Sequence, residues 1–254
     1  MATRDELIDL CNSSLECESF EGVDYGPNGL QVPGRREVSK VATCVSANLE
    51  SLRRAVEAEA EMVIAHHGLF WEFLPRSLTE RSAARLRCLL EADASLAAYH
   101  LPLDASPTLG NNALLCRGLG LAIGEPFGEA RGRKVGFVGT PPEPLSTSEL
   151  GDKIESLLGR APLVQGAEPT SIRAVGVISG AGASSIHEAA ELGLDALITG
   201  EPAEHVMADA AEAGIAFFGA GHYATETLGV RALGDFLAAE LGVEHEFVDV
   251  PNPV

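Results

Sequence analysis

Two adjacent histidines, His66 and His67, follow the apolar run Met62-Val63-Ile64-Ala65 and precede Gly68 and the chain's only tryptophan, Trp71. Such a run reads as a buried β-strand, and a strand tip has no structural need of two imidazoles. Three more residues carry matching chemistry: Asp104 in "YHLPLDASP", and His222 and Glu226 in "GHYATETLGV". Imidazole nitrogens and carboxylate oxygens together form the mixed donor set of Zn, Fe, Mn or Co. Two such ions held close together need bridging carboxylates to offset their repulsion, a part that Asp104 and Glu226 suit. His222 and Glu226 are one helical turn apart, so a helix opening there stacks them on one face. His66 and His67 cannot share a face of a regular strand. They are expected just past its end, where Gly68 frees the backbone and the two rings turn to two different ions.

Taken singly, each residue also has an ordinary reading. An HH pair can be a turn, Asp104 can cap a helix starting near Ser106, and His222 with Glu226 can be a plain helix-face pair. Their shared position at strand ends is what argues for a site. His100 and Glu201 stand at matching strand ends: His100 as a hydrogen-bond support to a ligand, Glu201 as a similar support or a substrate-side acid. His187, His205 and His245 fall in helical or C-terminal strand patterns with no matched carboxylate and read as structural or exposed. No residue is assigned as the catalytic acid or base.

The elements that position these residues repeat. Residues 40–68 line up with residues 174–201 at one constant offset, Val41 on Val175, Leu52 on Ile186, Ala55 on Ala189 and Ile64 on Ile198. Each block reads as strand, helix, strand, with strands apolar on both faces as parallel strands are. A helix and a further strand follow each block, ending in "AYHLPLD" (98–104) and "AGHYATE" (220–226). Both fit A-x-H-x-x-x-[DE]. The fold class implied is α/β: two similar domains related by an internal repeat, with mostly parallel or mixed sheets flanked by helices and polar residues at the strand ends where such sheets bind ligands. The expected domains are 1–125, with His66, His67 and Asp104, and 126–254, with His222 and Glu226. The Pro-rich stretch 139–150 reads as a turn near that boundary.

The loop "SGAGASS" (179–185) lacks the third glycine of a dinucleotide fingerprint and the lysine of a P-loop. Its amides remain candidates for an anionic group at a helix start. There is no G-x-S-x-G and no Cys-His pairing, which argues against serine or thiol hydrolysis. At 254 residues with a formal net charge of −19, the surface repels nucleic acid and anionic lipid. No apolar run approaches the roughly 20 residues of a membrane span, and the five cysteines show no paired spacing. The expected setting is the cytoplasm, with neither nucleic acid nor membrane as a partner.

The stretches "DYGPNGLQVPG" (24–34), "IAHHGLFW" (64–71), "YHLPLDASPTLGNNALL" (99–115), "DALITGE" (195–201) and "GHYATETLGVRAL" (221–233) closely resemble the GTP cyclohydrolase I type 2 homologue family. These are hexameric proteins with a dinuclear metal centre, and the resemblance runs nearly the whole chain. It implies two similar α/β domains, a toroidal homohexamer, and two divalent ions per chain held by His66, His67, Asp104, His222 and Glu226. The expected activity is that of a metal-dependent hydrolase in which metal-activated water attacks a small, nucleotide-like substrate. The alternative is a non-catalytic metal-handling or regulatory hexameric ring. Where many relatives have an acidic residue in the first strand-loop, this chain has Ser46 and Asn48.

Overall fold

The computed structural model describes residues 1–254. The chain forms two compact units. Met1–Leu103 and Gly229–Val250 make the first, and Asp104–Leu228 with Pro251–Val254 the second.

The first unit contains β1 (Ala2–Thr3), α1 (Arg4–Ser14), β2 (Gly29–Val32), β3 (Glu37–Val38), β4 (Lys40–Ser46), α2 (Leu49–Glu57), β5 (Met62–His67), α3 (Glu80–Glu91), β6 (Ser95–Ala98) and the start of α4 (Leu101–Ala105). Most of α10 (Thr227–Leu241) and all of β13 (Glu244–Phe247) return to it. Its five-stranded sheet has the order β13-β4-β5-β6-β2. β13, β4, β5 and β6 run parallel, and β2 pairs antiparallel with β6. Ala42, Cys44, Val63, Ala65 and Leu96 of the sheet pack with Leu52, Ala55 and Leu89 of the helices. The parallel strands are buried on both faces because crossover helices cover them.

The second unit holds β7 (Ala122–Ala130), β8 (Arg133–Thr140), β9 (Leu163–Gly166), β10 (Val175–Val177), β11 (Ala196–Thr199) and β12 (Ala216–Gly219). Its helices are α5 (Asn111–Gly118), α6 (Thr147–Leu158), α7 (Ile186–Glu191), α8 (Val206–Ala213) and α9 (His222–Thr225). The sheet order is β7-β8-β10-β11-β12-β9, in which β10, β11 and β12 are parallel. Val175, Val177, Ala196, Ile198, Ala216 and Phe218 form the strand side of its core, against Leu115, Leu150 and Ile154.

The repeat is therefore real in three dimensions. β4-α2-β5-α3-β6 and β10-α7-β11-α8-β12 share element order and parallel pairing, and each closes with an antiparallel strand, β2 on β6 and β9 on β12. In both, a one-turn helix follows the third strand directly, α4 after β6 and α9 after β12. The units divide differently from a single cut at 125/126. That point falls inside β7, Asp104 belongs to the second unit, and β13 belongs to the first through its ladder with β4.

Asn48 explains part of the unusual strand-loop. Its side chain accepts a hydrogen bond from the Ser51 amide at 2.9 Å and caps α2. Asn48→Ala is expected to cost about 1 kcal/mol, in the roughly 0.5–2 kcal/mol range of lost N-caps. Urea unfolding of the two chains measures it.

Candidate metal centre

In the first unit, β5 continues through both histidines instead of ending before them. Ser46 of β4 pairs in register with His67, which holds the strand straight to its tip. Ser46 Oγ lies 2.9 Å from His67 Nδ1. His66 is fully buried, and its Nδ1 donates to the Tyr99 carbonyl at 2.9 Å. With Nδ1 carrying the proton, Nε2 is the nitrogen with a lone pair to give. The ring centroids of His66 and His67 are 4.7 Å apart, and His100 stands 5.0 and 5.7 Å from them. One ligand atom of each of the three lies within 4.8 Å of the others. The sequence reading gave His100 a supporting part; the structure puts its ring among the donors themselves.

His100 is fixed by a residue to which no part had been given. Its Nδ1 is 2.7 Å from Asp24 Oδ1, and that carboxylate also accepts from the Leu101 amide and from Asn28 Nδ2, each at 2.9 Å. Burial works to raise the Asp24 pKa, but the hydrogen bond and charge of His100, with Asn28 and Leu101, hold it below the usual value. Asn28 Oδ1 in turn accepts from the His100 amide at 2.8 Å. Asp24 and Asn28 lie in "DYGPNGLQVPG", so the signal was present, though nothing local connects it to a residue so far along the chain. Trp71 walls this cluster, its ring edge-on to His100 at 5.0 Å and tilted at 6.0 Å from His67.

In the second unit, Asp104, His222 and Glu226 come together. A carboxylate oxygen of Asp104 lies within 4.8 Å of one of Glu226. Asp104 does not cap a helix: α5 starts at Asn111, behind Gly110. Asp104 Oδ1 accepts instead from Asn111 Nδ2 at 2.8 Å and Ser179 Oγ at 2.9 Å. His222 opens α9, and Glu226 ends it one turn on. His222 Nε2 is 3.1 Å from Glu226 Oε1, while its Nδ1 meets Glu201 Oε1 at 2.5 Å. Glu201 thus holds the His222 ring from the side opposite Glu226.

The loop 179–185 plays a different part from the anion cradle considered for it. The Ser179 amide donates to Asn112 Oδ1, that of Gly180 to Thr225 Oγ1 and that of Gly182 to Thr199 Oγ1. With these three amides engaged inside the protein, the loop serves to seat the acidic cluster. Gly180 has φ +61°, and a Cβ there would meet Glu226 Oε1 at 2.5 Å and His222 Nε2 at 3.3 Å.

Burial opposes the charged form of His222, but hydrogen bonds to Glu226 and then Glu201, with their charges, outweigh it and raise its pKa from 6.5 to about 9. A folded-state pKa above the unfolded one adds stability that is fully present below 6.5 and is lost as pH rises through about 9. The chelator-treated chain is therefore expected to show a melting temperature that falls between pH 6.5 and 9. His222→Gln should flatten that part of the profile in thermal scans.

The donors fit divalent d-block ions. In all four histidines Nδ1 is engaged, by Tyr99, Ser46, Asp24 and Glu201, which leaves Nε2 as the nitrogen on the site side. Each unit adds to this what such ions select, imidazoles in the first and an imidazole with two carboxylates in the second.

These features define an α/β chain of duplicated architecture with a cluster of metal-type donors in each unit. The profile of the Duf34/NIF3 (NGG1p interacting factor 3) family matches residues 2–253, and the chain belongs to that family. It is 40% identical over 249 residues, 98% of its length and 94% of the relative's, to the GTP cyclohydrolase 1 type 2 homolog of Deinococcus radiodurans. It is 42% identical over 231 residues, 91% of each chain, to that of Pseudomonas aeruginosa. Among solved structures, protein ybgI, described as of unknown function, superposes with a TM-score of 0.93 at 39% identity over 99% of this chain and all of the other (100%). TTHA1606 from Thermus thermophilus gives 0.88 at 35% identity over 99% and 100% of the two chains.

Proposed function

We propose that this protein binds two divalent metal ions through His66, His67, Asp104, His222 and Glu226 and works as a metal-dependent hydrolase on a small, nucleotide-like substrate. The observation that carries the reading is the arrangement of the four imidazoles. Each has Nδ1 fixed by a partner within the same unit, so the orientation of Nε2 is set before any ion arrives. His100 stands in this reading as an additional donor or support beside His66 and His67. Five ligands for two ions leave coordination positions for water and substrate, as catalytic sites do and closed structural sites do not. Bound ions of this kind supply an activated water at neutral pH and polarise the bond under attack.

The protein's own contribution is to place and hold. Glu201 keeps His222 in one orientation, Asn111 and Ser179 keep Asp104 in one, and Trp71 packs against His67 and His100. The nucleotide class follows from the relatives' name, GTP cyclohydrolase 1 type 2 homolog, and the homohexamer from the family resemblance. The cytoplasmic setting is supported by five free cysteines, and no helix is long and apolar enough to cross a membrane.

The test is direct. Metal per chain is counted on the purified protein, and GTP, other nucleotides and phosphoesters are assayed with and without chelator. Turnover that chelator abolishes and metal restores is the expected result. No turnover at two metals per chain would overturn the hydrolase and leave the metal-handling ring.

A further inference from the structure

The second unit carries another set of metal-type donors, on elements that contribute nothing to the centre described above. His187 lies in α7, His205 immediately precedes α8, and Asp209 is one turn into α8. The H-x-x-x-D spacing puts His205 and Asp209 on one face of the helix, and the packing of α7 on α8 brings His187 alongside. The two imidazoles lie nearly parallel, 11° between planes and 6.3 Å between centroids.

Their Nε2 atoms are 3.9 Å (His187) and 4.0 Å (His205) from one and the same oxygen, Asp209 Oδ2. Both distances exceed a hydrogen bond. A tetrahedral ion with bonds of roughly 2.0–2.2 Å separates its ligand atoms by about 3.4 Å. Both nitrogen–oxygen separations exceed that by about half an ångström, and because the three donor atoms all lie within 4.8 Å of one another, side-chain movements of roughly 1 Å close the set onto an ion. Such movement is free here, because the His187 and His205 side chains are 68% and 48% exposed.

We propose that His187, His205 and Asp209 form a surface site for a borderline divalent cation of the Zn, Ni or Cu type. Two nitrogens with one oxygen select these ions over Mg and Ca, which take oxygen donors. The open side leaves the remaining positions to water, so the site exchanges its ion readily. A chain of net charge −19 raises the local concentration of cations, and Glu191 and Glu204 lie close by in sequence.

Tag-free protein, His187→Ala, His205→Ala and Asp209→Asn are each titrated with Zn by calorimetry and run on Ni-iminodiacetate resin. The wild type is expected to take up one more Zn per chain than either histidine variant and to need more imidazole for elution. Asp209→Asn should weaken that Zn at least about tenfold. The tightly held metal should be the same in all four, since none of these residues belongs to the centre proposed above. Equal Zn uptake and equal elution across the set would overturn the site.

Discussion

Glu226→Ala and His67→Ala are each expected to lower divalent-metal affinity by roughly 100-fold or more, because even residues that merely orient ligands cost roughly 10–100-fold when removed. Glu226 is 2% exposed and sits 3.1 Å from His222 Nε2, so its loss also frees His222 from the partner that raises its pKa most. His67 lies at the tip of β5, beside Ser46 and Trp71, and alanine there leaves the strand ladder intact. Both variants should therefore fold, and circular dichroism with metal counting by plasma mass spectrometry separates the two properties. Metal content equal to the wild type in both variants would remove these residues as ligands.

The second large effect needs no donor removed. Gly180→Ala should weaken metal binding by roughly 10–100-fold, the scale seen when ligand orientation is lost, and should destabilise the metal-free chain by roughly 1–2 kcal/mol through its left-handed backbone. The added methyl would press on Glu226 Oε1, which a Cβ meets at 2.5 Å, and on His222 Nε2. Either the carboxylate turns away or the loop moves, and the loop is tied down by Thr225 and Asn112. Gly193 offers the control. It has φ +66° with open space around its Cβ position, so Gly193→Ala bears similar strain without touching the site. Equal metal affinity in the two variants would show that the close approach at Gly180 has no bearing on the centre.

Much of the fold was legible because parallel strands write themselves as short apolar runs. "MVIA" and "ALIT" announce β5 and β11, and the A-x-H-x-x-x-[DE] pattern marks what the structure shows as α4 and α9. Four features were not legible, each for the same reason. β5 runs on through His67 because Ser46 on the neighbouring strand pairs with it. Asp24 holds His100 across 76 positions of chain. His245, which looked unpartnered, meets Thr43 and Asp235, both at 2.8 Å. His187 likewise meets a carboxylate, Asp209, only once α7 and α8 pack. Local periodicity reports which face of an element is apolar; it carries no information on which distant polar group will arrive opposite.

The ladder between β13 and β4 has a consequence for biosynthesis. Lys40 pairs with Glu244, so the edge of the earliest-made sheet is supplied by residues that leave the ribosome only after the whole sheet of the second unit. Until then β4, with Val41, Ala42, Cys44 and Val45 fully buried in the finished protein, presents a bare apolar margin ready to recruit other nascent chains. A gene shortened before codon 244 would make that exposure permanent, whereas residues 104–228 form an uninterrupted stretch that closes its own sheet.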